Sequence, residues 1–147
     1  MRAASFTSNY VREILSAVSQ ENVALIERFY QKYLTTGELP WEMLDENVEV
    51  QDHDTPDQGV YQGRAGVDRW FRDWGDAWAE WSFEPEEFID ADDTVVVVIR
   101  MRAKGTGSGV EVDRQDALVY RFRDDKIVRT DYYNSKQQAL EAAGVAA

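Results

Sequence analysis

Val95-Val96-Val97-Val98-Ile99 opens a stretch, residues 94–134, that decides the fold. Gly105-Thr106-Gly107-Ser108-Gly109 turns the chain, Val110 to Arg123 returns it, Asp124-Asp125 turns it again, and Lys126 to Tyr133 closes it. β-Branched and aromatic runs bounded by Gly and Asp clusters are strand and hairpin signals. The stretch is predicted to be an antiparallel meander on which the rest of the chain packs. Even positions of its middle segment, Val110, Val112, Leu118, Tyr120 and Phe122, make an apolar face interrupted by Arg114 and Asp116. Charges in the centre of such a face are costly unless paired or used.

Working outward, the N-terminal part is helical by its spacing. Phe6, Tyr10, Ile14, Leu15 and Val18 recur behind the capping candidates Thr7, Ser8 and Asn9, which predicts a leading amphipathic helix over 1–19. Ser19 is then placed to cap a second helix over 20–36 carrying Val23, Ile26, Phe29, Tyr30, Tyr33 and Leu34, with Gly37 as its stop. A short helix near Pro40 and a brief strand over 48–51 follow. The polar loop Asp52-His53-Asp54-Thr55-Pro56-Asp57-Gln58-Gly59 comes next. A helix over 64–79 bears the stripe Val67, Trp70, Phe71, Trp74 and Trp78, and such stripes more often pack a core than cage a ligand. Residues 81–89 read as a strand that Pro85 pushes toward an edge or a bulge. A short terminal helix over 136–143 stops at Gly144. Helices followed by a meander define an α+β domain with helices on one face of the sheet, here a single domain over 1–147 with its core at 20–147.

Composition bounds the partners. The 147 residues carry 16 basic and 28 acidic side chains, for a net charge of −12, and no cysteine. An acidic surface argues against nucleic acid and against anionic membranes. No apolar run approaches the ~20 residues of a membrane span or the core of a signal peptide, so a cytoplasmic protein is expected. One histidine among loop carboxylates falls short of a three- or four-ligand metal set, and the glycine-rich segment sits between strands rather than before a helix. Neither a metal nor another cofactor is expected.

Ile26-Glu27-Arg28-Phe29-Tyr30, Leu44-Asp45-Glu46-Asn47-Val48-Glu49-Val50-Gln51-Asp52, Tyr61-Gln62-Gly63-Arg64-Ala65-Gly66-Val67 and Tyr120-Arg121-Phe122-Arg123-Asp124-Asp125-Lys126-Ile127-Val128, in this order, resemble the SnoaL-like branch of the nuclear transport factor 2-like superfamily. Its relatives include polyketide cyclases, ketosteroid isomerase and limonene epoxide hydrolase. The resemblance implies a cone-shaped barrel of curved, mostly antiparallel sheet wrapped by N-terminal helices. It places Asp52 at the isomerase's general-base position and Tyr30 at its oxyanion-donor position, with Leu118 where the second donor, an Asp, would stand. Arg100 and Asp131 match two members of the hydrolase's Asp-Arg-Asp set, and Arg102 replaces the third. This superfold hosts several chemistries as well as plain binding modules.

Strand alternation then groups side chains. The odd set Val95, Val97, Ile99, Met101 and Ala103 is apolar, and the even set runs from Val96 and Val98 to Arg100 and Arg102. With helices over the even face, the odd face would need a second subunit, so a homodimer through the outer sheet face is expected. The cavity side would then hold Asp52, Tyr30, Arg100, Arg102, Arg114, Asp116, Arg129, Asp131 and Tyr133. Its charges are either a polar patch for acid/base work or a self-cancelling salt-bridge network. Alternation sends His53 opposite to Asp52, toward solvent. The expected catalytic set is Asp52, Tyr30, Arg100 and Asp131, and the pocket set is Trp70, Trp74, Arg114, Asp116, Leu118 and Tyr133. The ligand is expected to be small and largely apolar, bearing a carbonyl or hydroxyl. It would be either turned over by a cofactor-independent isomerase, cyclase or hydratase, or simply bound.

Overall fold

A computed structural model describes residues 2–54 and 59–145, with side chains from Ser19 onward. Helix α1 (Arg2–Thr36) runs unbroken, followed by a 3₁₀ turn (Trp41–Met43), β1 (Leu44–Asp52), β2 (Val60–Gln62) and α2 (Gly63–Ala77). Strands β3 (Trp78–Ala91), β4 (Thr94–Gly105), β5 (Glu111–Arg123) and β6 (Lys126–Tyr133) precede α3 (Lys136–Ala142). They form one six-stranded sheet in the order β2-β1-β6-β5-β4-β3. Among the described strands, β1 and β6 pair in parallel and the other neighbours antiparallel. The α+β class and the curved meander are as predicted. The sheet ends in two edges, β2 and β3, so the cone stays open and no barrel closes.

Local chemistry accounts for most boundaries. Gly37 takes φ +76° and its N–H reaches Tyr33 O at 2.8 Å, the left-handed stop that ends a helix. Asp124 and Asp125 both adopt positive φ, 53° and 61°, which a two-residue hairpin turn requires. Pro85 lies on the edge strand β3, where the pairing register with β4 shifts between Pro85 and Glu87. The edge and the bulge are therefore both realised. Ser135 caps α3 by accepting from Gln138 N at 3.1 Å.

Three boundaries differ from expectation. Ser19 starts no helix: it is buried inside α1, and its Oγ donates to Asp92 O at 2.8 Å, tying the helix to the turn before β4. Side chains of Phe6, Tyr10, Ile14, Leu15 and Val18, and residues 55–58 of the polar loop, lie outside the described residues. Strand β1 starts four residues before Val48, and α2 ends before Trp78, which begins β3. Gly66 sits where α2 crosses the chain at Tyr61, and a Cβ there would lie 2.9 Å from Tyr61 C. Gly66→Ala is expected to cost ~1–3 kcal/mol through forced backbone shifts, readable as a lowered urea midpoint with an unchanged slope.

The two faces of the sheet carry different clusters, and the assignment inverts the expectation. Val95, Val97 and Ile99 pack inward with Ile26, Phe29 and Tyr30 of α1 and Val67 and Trp70 of α2. Val96 and Val98 point outward and pack with Ala117, Val119, Ala139 and Leu140. The odd face is thus the helix-covered interior, and α3 closes the apolar part of the even face. The sequence argument for a dimer rested on an uncovered apolar odd face, and this fold has none. Beyond α3 the outer face presents Arg100 and Arg102 with Asp113, 3.1 and 3.7 Å apart.

Candidate functional site

Pairing register fixes which side chains share the interior. Ile99 stands opposite Asp116, Met101 opposite Arg114, Leu118 opposite Tyr132, and Asp52 beside Tyr132 across the parallel β1–β6 pair. Gln51 stands beside Asp131, and Ala117 opposite Tyr133, on the other face. Period-2 alternation therefore puts Asp52, Arg114, Asp116, Leu118 and Tyr132 inside. Arg100, Arg102, Arg129, Asp131 and Tyr133 are outside. Four of the side chains expected to meet do not: Arg100 and Asp131 are separated by the sheet from Asp52 and Tyr30, and Arg100 pairs with Asp113 instead.

The interior holds a cavity of about 80 Å³ lined by residues of α1, α2 and the inner sheet face, among them Tyr30, Trp70, Trp74, Leu118 and Tyr132. Drug-sized ligand pockets run ~300–1,000 Å³. An engineered cavity of ~150 Å³ accommodates benzene, so here a ligand the size of one small ring enters only as the wall side chains give way. Trp70, Trp74 and Leu118 are lining residues as expected, whereas Arg114 and Asp116 stand behind the wall.

Polar atoms around the cavity are paired with one another. Tyr30 and Tyr120 share a hydrogen bond at 2.7 Å between their hydroxyls. Burial first, then the neighbouring phenol, pushes Tyr30 well above the usual phenol range. Trp70 Nε1 donates to Asp52 Oδ2 at 2.9 Å, while Asp54 N donates to Asp52 Oδ1 at 2.9 Å. Asp52 is 1 % exposed and does not line the cavity. Tyr132 donates its hydroxyl proton to Asp116 Oδ2, and Arg114 Nε donates to Asp116 Oδ1 at 2.8 Å. Arg114 also pairs with Asp54, which accepts from Asn134 Nδ2 at 2.9 Å. This chain leads from the cavity wall to the surface. Burial drives Asp116 above the usual carboxylate range against the hydrogen bonds of Tyr132 and Arg114. Tyr132 is driven up by burial and then by the Asp116 charge, so its phenol stays protonated.

A second polar cluster occupies the outer face. Arg129 donates to both oxygens of Asp131 at 3.0 Å and to Gln51 Oε1 at 2.6 Å. His53 Nε2 meets Asp131 Oδ1 at 2.9 Å, and the imidazole stacks on Tyr133, ring centres 4.4 Å apart. His53 does lie opposite Asp52, but it is held in this cluster and not free in solvent. Burial alone would raise the Asp131 carboxyl; Arg129 and His53 outweigh it and hold the group below its ordinary value. Among the described residues, no three His, Asp or Glu side chains converge as metal ligands.

Sequence reasoning passed over Tyr132, Trp81 and Asp54. Tyr132 shares a face with Asp52 through the parallel β1–β6 register, which no local signal in the sequence carries.

The chain belongs to the SnoaL-like domain family, whose model matches residues 11–130. It is similar to a nuclear transport factor 2-like protein from Burkholderia thailandensis, with 20% identity, coverage of 85% of this chain and 98% of that one, and a TM-score of 0.69. A SnoaL-like polyketide cyclase, so assigned putatively, from Jannaschia sp. shares 17% identity over 87% and 94%, with a TM-score of 0.64. A ketosteroid isomerase-like protein from Catenulispora acidiphila, solved in complex with trimethylamine, shares 16% identity over 71% and 79%, with a TM-score of 0.57. No functionally curated protein matches the chain. At these identities the likeness carries the fold alone. No helix among the described residues is long and apolar enough to cross a membrane.

Proposed function

We propose that this domain binds a small molecule of apolar exterior in the cone cavity. One observation carries the reading: the polar atoms beside the cavity are engaged with one another, Tyr30 with Tyr120, Trp70 with Asp52 and Tyr132 with Asp116. The wall they leave is aromatic and aliphatic, the lining that small-molecule sites favour. Trp70, Trp74 and Trp81 line the cavity, so their fluorescence should respond saturably to toluene. Leu118→Phe, which fills the cavity, is expected to weaken that binding at least about tenfold. An unchanged affinity would place the site elsewhere.

Turnover is the second reading, favoured by the buried Tyr132–Asp116 pair. A cofactor-independent isomerase, cyclase or hydratase acting on a carbonyl- or hydroxyl-bearing molecule would use Asp116 as proton acceptor through Tyr132. Asp52 would serve to hold Trp70 in place. Arg100 and Asp131, on the outer face, have no part in it. On this reading Asp116→Asn keeps binding and loses ~100-fold or more in rate, whereas loss of binding alone would leave the plain binding module. A homodimer through the outer sheet face would now rest on its mixed charges, Arg100 and Arg102 against Asp113, and light scattering at twice 16.9 kDa would establish it.

A further inference from the structure

The proposed binding reading leaves open what kind of apolar exterior the cavity accepts, and the wall answers more narrowly than an aliphatic pocket would. Tyr132 meets Trp70 with ring centres 5.9 Å apart at 71° and Trp74 at 5.5 Å and 58°. Trp74 is tilted 39° to Trp81 at 6.3 Å, and Phe83 stacks on Trp81 at 5.8 Å. Tyr30 stands at 90° to Phe83 at 6.1 Å. All six rings line the cavity. The cavity is thus bordered by six aromatic rings at varied inclinations, and an aromatic face is the negative part of the ring's quadrupole.

Two of those rings are polarised from behind. Trp70 gives its indole N–H to the carboxylate of Asp52, and Tyr132 gives its hydroxyl to Asp116. Donation to an anion shifts electron density onto the ring, which strengthens attraction of a cation over its face. Asp52 and Asp116 are both essentially inaccessible to water, at 1 % and 0 %, so their fields reach the cavity with little screening. Behind the wall Arg114 pairs with Asp54 and Asp116, and Asp52 accepts from Trp70 Nε1 and from Asp54 N. Among the described residues, no Lys or Arg side chain lines the cavity. The net charge of −12 also favours approach of cations.

We infer that the cavity is an aromatic cage for a small methylated ammonium ion, about the size of tetramethylammonium. Such an ion presents methyl groups, an apolar exterior, and spreads its charge over them. It needs no hydrogen-bond acceptor from a wall whose polar atoms are already paired. A hydrated primary ammonium or an alkali cation would have to give up hydrogen bonds or water that this wall cannot replace.

The inference rests on the binding reading and is tested beside it. The full chain is titrated calorimetrically with tetramethylammonium chloride and with 2-methylpropan-2-ol, its neutral near-isostere, at an ionic strength held constant with sodium chloride. Tetramethylammonium is expected to bind at least about tenfold tighter than the alcohol. Asp52→Asn, which keeps an acceptor for Trp70 and removes the charge, and Tyr132→Phe are each expected to lower the ratio of cation to alcohol affinity about threefold or more. Equal affinities for the two probes, or tighter binding of the alcohol, overturn the cage and leave the binding reading standing. Failure of both probes and of toluene overturns both. Wild-type discrimination that survives both substitutions places the cation elsewhere and likewise overturns the cage.

Discussion

Trp70→Ala is expected to destabilise the protein by at least ~4 kcal/mol. Truncation of a buried tryptophan costs ~3–5 kcal/mol from lost burial and the cavity left behind, and Trp70 is 8 % exposed, in edge contact with Phe71 and Tyr132. The change also strips Asp52 Oδ2 of the indole donor at 2.9 Å, and a buried carboxylate short of a partner adds ~1–3 kcal/mol. Against a usual total of ~5–15 kcal/mol, a loss of this size leaves little folded margin. Trp70→Phe keeps one ring and loses the N–H together with the rest of the indole, so a smaller loss of ~2–3 kcal/mol is expected. Urea unfolding followed by far-ultraviolet circular dichroism separates the two. If Trp70→Ala fell within ~1 kcal/mol of wild type, the wall would be collapsing around the gap and the cavity would not be a rigid container.

The meander was legible because its signals are local. Five β-branched residues in a row, a glycine cluster and an Asp-Asp pair each impose a backbone conformation with no help from distant residues. The break expected at Ser19 shows the limit of that kind of signal. A serine ahead of an apolar run looks like a cap, but here its hydroxyl finds the Asp92 carbonyl 73 residues away, and the helix has no reason to stop. Trp78 shows the same limit. It continues a helical stripe by spacing, yet at the end of α2 the chain pairs it with Gly105 as the start of β3.

The faces were harder, for a physical reason. In β4 both sides are apolar near Val95–Val98, because helices cover one and α3 covers the other. Burial on both faces erases the alternation that would distinguish them. Arg100 and Arg102 then carry the contrast between the faces, and they mark the outer side, where both pair with Asp113. The decisive relation is not local: Asp52 is buried, and the register of its parallel partner β6 brings Thr130 and Tyr132 inward and sends Arg129, Asp131 and Tyr133 out. Alternation sets Asp116 beside Arg114 on one face of β5, but nothing local reveals that Arg114 also pairs with Asp54, which the turn after β1 brings to it from 60 residues away.

Arg114→Met is expected to be the most pH-sensitive substitution in the chain. Asp116 is fully buried, and Arg114 supplies the donor to one of its oxygens and the nearest positive charge. Removing one partner of a fully buried pair costs ~3–5 kcal/mol. Arg114 retains 32 % side-chain exposure, so solvent screening reduces the expectation to ~2–3 kcal/mol at pH 7. The sign with pH follows from Asp116, whose folded-state value already lies above its ordinary 3.8 because burial outweighs its hydrogen bonds. A carboxyl raised on folding contributes its stability below the unfolded value and loses it as pH climbs through the folded one. Without Arg114 the folded value climbs further and the window of loss widens upward. The deficit of Arg114→Met relative to wild type should therefore shrink as pH falls from 7 toward 4, where a protonated Asp116 no longer needs the guanidinium. Thermal melts at pH 7, 5.5 and 4 read this directly. A deficit constant across that range would mean that Arg114 acts through packing of its stem alone, and that the chain from Tyr132 to Asp54 carries no electrostatic coupling.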